Sequence, residues 1–183
     1  MFKKNYRCLY YTGTVLALFI IQQLASKIGG LVAKLFSYQR IDPHNLFAFI
    51  FIHHIVILII ALLIIYFTKE LFDISYGFKL GNIEVGIKHV RIFSIIILIY
   101  VVINHLIGYH FGFIKPISFP LNMKNILGTL SFQLFLSGPA EELLFRAIPI
   151  SLLLVFKKNK IIKWGISIET VIAALLFSVA HIQ

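Results

Sequence analysis

The sequence predicts an all-α fold, a polytopic transmembrane helix bundle of about five spans. Three observations predict it. Of the 183 residues, 60% are hydrophobic and 13% charged, with mean hydropathy +0.94, whereas a soluble domain usually carries about a quarter charged residues. The apolar residues gather into stretches long enough to cross about 30 Å of hydrocarbon at 1.5 Å per residue. The 17 Lys and Arg residues fall almost entirely in the short segments between those stretches. Lipid offers the backbone no hydrogen-bond partner, and the stretches show no alternating polar pattern, so they are expected to be helices and not barrel strands.

The first stretch, Leu9 to Ile28, follows the basic segment Met1 to Arg7. This start imitates a secretory signal, but a small-x-small cleavage site is lacking and more spans follow, so it is expected to be a retained span. The second runs from Leu46 to Phe67 and the third from Ile92 to Phe111. Between them, residues 68–91 mix charges with Gly77, Gly81 and Gly86, which suits a membrane-surface loop. The fourth, Ile126 to Phe156, is longer than a straight span needs and contains Pro139 and Pro149. A kink or break at Pro139 is expected; if the helix restarts there, Glu141 and Glu142 fall in its first turn, near free amides and the positive end of the helix dipole. The fifth runs from Trp164 to Gln183, with Trp164 as an interfacial anchor. Residues 1–125 are thus expected to form a three-span N-terminal region, and residues 126–183 the part that carries chemistry.

The net charge of +10 invites a nucleic-acid reading, but its distribution is that of membrane topology. With a cytoplasmic N-terminus, the inside segments hold Lys3, Lys4, Arg7, Lys69, Lys79, Lys88, Arg91, Lys157, Lys158, Lys160 and Lys163. The outside segments hold only Lys27, Lys34, Arg40, Lys115 and Lys124. The expected location is the cell membrane, multi-pass, with the lipid bilayer as partner and no nucleic acid. A single cysteine, Cys8, excludes an intrachain disulfide.

Ionisable groups inside a span are costly and mark function by default, which singles out Glu141, Glu142 and Arg146. Adjacent helix residues point about 100° apart, so the two carboxylates take different roles. Glu142 and Arg146, at i and i+4, can pair, leaving Glu141 free to act on water. The competing reading is an ion-pair cluster that locks helices together. His181 lies one turn after Phe177, on the same helix face. Glu141 and His181 lie about sixteen and eighteen residues from the intervening basic loop, roughly 24 to 27 Å along antiparallel helices, so carboxylate and imidazole can meet at one level. A glutamate that takes a proton from water, beside a histidine that donates to the attacked carbonyl, suits peptide hydrolysis.

Glu141-Glu142-Leu-Leu-Phe-Arg146 and Phe177-Ser-Val-Ala-His181 resemble the EExxxR and FxxxH motifs of the CAAX protease and bacteriocin-processing family of intramembrane peptidases. The resemblance covers about residues 126–183. It implies catalytic roles for Glu141, Glu142 and His181, with Arg146 and Phe177 in support, and a hydrophobic or membrane-anchored peptide as substrate. That family continues with further spans and an HxxxN or HxxxD motif. Relative to it the sequence is C-terminally truncated, and an active form is expected to be completed by further residues or by a second chain supplying the missing helices. The alternative is a non-catalytic membrane protein, such as a bacteriocin self-immunity factor or a degenerate family member.

Glutamate and histidine are legitimate zinc ligands, but helical HExxH is absent and the donors are few, so no cofactor is expected. Adjacent His53 and His54 diverge around their helix, as do His105 and His110. Glu169, near the basic loop, is expected to reach the interface. Asn104 and Gln133 are expected to bond between helices.

Overall fold

The computed structural model describes residues 2–78, 81–113, 119–156, 161–163 and 166–182. It is built of helices, as the apolar stretches require: α1 (Phe2–Ala33), α2 (Ala48–Phe72), α3 (Ile83–His110), α4 (Met123–Phe132), α5 (Gly138–Glu142), α6 (Ile148–Phe156) and α7 (Ile168–Ala180). Three helical segments are long and apolar enough to cross a membrane: Leu9–Ala33, Ala48–Phe72 and Ile83–His110. The helices α2 and α3 extend into the expected surface loop and leave residues 73–82 between them. One departure from all-α is a small antiparallel pair between α6 and α7, β1 (Ile161–Lys163) and β2 (Ile166–Ser167), with Ile161 opposite Ser167. Trp164 and the lysines 157, 158 and 160 lie outside the described residues.

The chain divides into two compact units, Met1–Tyr76 with Leu121–Gln183, and Gly77–Pro120. The second unit carries α3, whose start is capped by Asn82, its side-chain oxygen accepting from the Val85 N–H at 3.1 Å. Asn104 donates to the Tyr100 carbonyl of the same helix at 3.1 Å. The carbonyl one turn back is always within reach of a short amide side chain.

In the first unit the core is made where α1, α2, α6, α7 and the segments preceding α6 meet. Leu18, Ala25, Ile57, Ala61, Ala140, Leu144, Ile148, Leu153 and Leu176 are its buried centre. Small residues on several elements let backbones approach closely, the packing device of membrane helices. Leu16, Ile20, Leu24, Ile59, Leu62 and Leu63, at other positions around α1 and α2, stay exposed. Apolar residues on both the inner and outer sides of a helix fit lipid and not water as the surroundings. The tightest approach is at Gly29 in α1: a Cβ there would lie 2.7 Å from His53 Cδ2 and 2.9 Å from the His53 carbonyl oxygen of α2. A glycine is therefore needed for the two helices to close on His53.

The connection into α2 is organised by Asp42, which is only 2% exposed. Its carboxylate accepts from the N–H groups of Leu46 at 2.9 Å, Phe47 at 2.7 Å and Ala48 at 2.8 Å. These are the donors a helix start leaves without intrahelical partners. Burial opposes the charge on Asp42, but the three N–H groups together, with His44 adding to them, hold its carboxyl below the usual carboxylate range. A depressed folded pKa contributes stability that is complete above the unfolded value, about 4, and is lost as pH falls through the folded value. Asp42→Ala is accordingly expected to cost about 2 kcal/mol at neutral pH and to flatten the loss of stability below about pH 4. Unfolding in detergent, followed by circular dichroism at several pH values, reads both effects.

The fourth apolar stretch does not break at Pro139. Helical backbone runs from α4 through a π segment at Gln133–Ser137, then α5, then a second π segment at Leu143–Ala147, into α6. Ser137 (φ −58, ψ −57) and Gly138 (φ −55, ψ −56) keep right-handed helical angles. A proline lacks an N–H and its ring meets the carbonyl one turn back. Widening the preceding turn to an i→i+5 pattern absorbs both defects without ending the helix. Each π segment ends just ahead of a proline, Ser137 before Pro139 and Ala147 before Pro149. Glu141 and Glu142 thus sit in one α-helical turn between two π segments, not at a fresh helix start with free amides.

Candidate functional site

The i,i+4 pairing of Glu142 and Arg146 is present, at 2.9 Å between Arg146 Nη1 and Glu142 Oε2 and 3.1 Å to Oε1. Both side chains are more than half exposed, at 55% and 65%. Glu141 points elsewhere. Its Oε1 lies 3.2 Å from His54 Nε2 of α2 and accepts from the Ser137 hydroxyl, also at 3.2 Å. Both bonds fall on one oxygen, so Oε2 has no protein partner among the described residues.

His54 is the residue that sequence reasoning missed, and His53 is the reason it is well placed. A backbone carbonyl can only accept, so a ring nitrogen bonded to one carries the proton. His53 Nε2 therefore donates to the Ser26 carbonyl at 3.0 Å, and His54 Nδ1 to the Ile50 carbonyl at 2.9 Å. The remaining His53 nitrogen, Nδ1, accepts from His54 Nδ1 at 3.3 Å. The two rings meet edge to face with centroids 5.0 Å apart, and Phe132 packs edge-on against His54 at 4.9 Å. The expectation that these histidines diverge is corrected: adjacency on the helix still lets Nδ1 reach Nδ1 when both rings fold toward α1 and α5. The only identifiable signal in the sequence was two ionisable residues side by side within a span.

With His54 Nδ1 committed to the Ile50 carbonyl, the contact between His54 Nε2 and Glu141 Oε1 must contain one proton. Without it, two lone pairs would face each other at 3.2 Å. The pair is either imidazolium with carboxylate or imidazole with carboxylic acid, and in both states the proton is shared between groups that are 13% and 27% exposed.

The second motif converges on the same place. His181 terminates α7, its Nδ1 donating to the Phe177 carbonyl at 2.8 Å, which leaves Nε2 as its available nitrogen. Its ring lies 4.2 Å from that of Phe177 and 5.7 Å from that of Phe145, and Phe145 meets Phe177 edge-on at 5.5 Å. Phe177 therefore supports the imidazole by contact. A cavity of about 260 Å³ is lined by Glu141, His53, His54 and His181 together with Gln22, Gln23, Ser26, Ile57, Phe145 and Ala180. A second cavity of about 450 Å³, the outer one in that Glu142 and Arg146 on its wall are more than half exposed, is lined by Glu141, Glu142, Phe145 and Arg146 on one side and by Thr170, Ala173, Ala174, Phe177 and Ser178 of α7 on the other. Glu141 and Phe145 line both. Glu142 and Arg146 line only the outer one.

Glu169 does not reach the interface. It is 0% exposed, and neither carboxylate oxygen has a hydrogen-bond partner among the described residues. The nearness of Glu169 to the basic loop in sequence does not bring it to the surface. Among the described residues no group of three or more His, Cys, Asp or Glu side chains could hold a metal ion. Comparison of the chain with protein families, curated proteins and solved structures finds no match.

Proposed function

We propose that this protein is an intramembrane endopeptidase that adds water to a peptide bond of a hydrophobic or membrane-anchored peptide, with Glu141 as the base. One observation carries the reading: Glu141 is anchored through Oε1 by His54 and Ser137 while Oε2 is left unpartnered beside a cavity that also holds His181. A carboxylate fixed by one oxygen and open at the other is arranged to take a proton from a bound water. The likeness of Glu141–Arg146 and Phe177–His181 to the motifs of the CAAX protease and bacteriocin-processing family is a second, independent support.

With the pair in its ion-pair state, a water held at Glu141 Oε2 gives that oxygen a proton as its own oxygen bonds to the amide carbon. His181 Nε2, when it carries a proton, stabilises the oxygen that becomes negative. The carbon–nitrogen bond then breaks, and the nitrogen leaves as an amine carrying the proton taken from water. Glu142 and Arg146 act at the mouth, where the outer cavity would admit substrate between the second π segment and α7. About five spans, a multi-pass location in the cell membrane and a cytoplasmic N-terminus complete the proposal. A reporter fused after Gln183 is then exterior.

Protein reconstituted in liposomes with apolar peptides and ¹⁸O-labelled water tests it. The reading requires cleavage that places one ¹⁸O in each new carboxylate. Intact peptides throughout contradict it.

A further inference from the structure

Gln22 of α1 is 1% exposed and lines the inner cavity with Glu141, His54 and His181. Its amide is oriented by the helix opposite. In the second π segment the N–H of Ile148 bonds the Leu143 carbonyl. The next residue along, Pro149, has no N–H to offer the Leu144 carbonyl. Gln22 Nε2 supplies the missing donor, reaching Leu144 O at 3.3 Å. Because a carbonyl only accepts, the amide cannot be flipped. Its oxygen, Oε1, is therefore held away from Leu144, and it is buried with no hydrogen-bond partner among the described residues.

A buried acceptor without a donor is costly, and such groups persist where a ligand completes them. The cavity walls that Ile57, Phe145 and Ala180 contribute are apolar, so they offer a ligand's side chains burial and compete for none of its polar atoms. We propose that Gln22 Oε1 accepts a backbone N–H of a peptide bound in this cavity, fixing the direction and register of the chain beside Glu141. This deepens the peptidase reading and rests on it only for the identity of the ligand as a peptide. Gln22 is a binding residue here, one that takes no part in proton transfer. A peptide with a methyl group on the corresponding nitrogen has no donor for it.

The test is binding, read by fluorescence anisotropy on the full chain in nanodiscs. The probe is a fluorescein-labelled apolar hexapeptide of alternating leucine and alanine, together with analogues methylated at one backbone nitrogen at a time. Wild type is expected to bind one methylated analogue about tenfold more weakly than the parent. Gln22→Met, which keeps the length and loses both polar atoms, should weaken the parent about tenfold and be indifferent to that same methylation. The proposal is overturned if wild type fails to bind the parent, if Gln22→Met binds it as wild type does, or if every analogue binds alike. The scan on wild type decides alone if Gln22→Met does not fold. Methylation-sensitive binding without cleavage would sink the peptidase reading and leave this one standing, whereas cleavage indifferent to methylation would do the reverse.

Discussion

Glu141→Gln is expected to lower peptide hydrolysis about 10³-fold while the protein still folds. Glutamine has nearly the same shape, and with its amide nitrogen at the position of Oε1 it can donate both to a neutral His54 and to the Ser137 hydroxyl oxygen. What it lacks is basicity: no oxygen of a neutral amide takes a proton from water near neutral pH. Glu142→Gln is the informative contrast. Its partner is Arg146, in a pair that is more than half exposed, so the loss of charge should cost less than about 1 kcal/mol of stability and well under the effect of Glu141→Gln on rate. Single-turnover cleavage of one peptide by wild type and both variants, with thermal unfolding in detergent as a control, separates the roles. Equal losses would deny Glu141 its special place.

The second large effect is on stability. His54→Leu removes the proton-sharing partner of a carboxylate that is mostly buried, and is expected to destabilise the fold by about 3 kcal/mol. Removing one member of such a pair strands the other, whereas removing both relieves the penalty. The double variant His54→Leu with Glu141→Leu should therefore recover stability relative to His54→Leu alone, although it is inactive. Denaturant unfolding of the two single variants and the double gives the coupling energy directly, and additive losses would mean that the 3.2 Å contact carries no free energy.

Much of the fold was legible in the sequence because hydropathy over twenty residues and backbone hydrogen bonding in lipid leave few choices. The pairing of Glu142 with Arg146 was legible too, since helix geometry alone sets the i,i+4 neighbours. The convergence of Glu141 with His181 followed from counting residues back from a shared loop. His54 was beyond that reach. Its meeting with Glu141 depends on the rotation of α2 against α5, and so on Gly29 allowing α1 to close on His53, which no periodicity records. The π segments were not anticipated because proline was read as a kink or a break, without the wider turn that lets the helix run through it. A wider turn ahead of Pro139 and Pro149 keeps the helix going and moves every later side chain around its axis. The same widening frees the Leu144 carbonyl and thereby orients Gln22. Glu169 was misplaced because its depth was judged from distance along the chain to the lysines, which does not record which face of α7 turns toward the core.

The central claim is that Glu141 and His54 share one proton in a cavity within the membrane. Solid-state NMR of the protein in bilayers, with ¹⁵N-labelled histidine and ¹³C-labelled glutamate carboxyl groups, tests it most directly. The account predicts a through-space coupling between the Glu141 carboxyl carbon and His54 Nε2, a protonated His54 Nδ1, and one exchangeable proton assigned to the contact. Loss of that coupling on Glu141→Gln identifies the pair. A His54 Nε2 with no carboxyl carbon nearby, or a neutral imidazole beside an ionised Glu141, would contradict it.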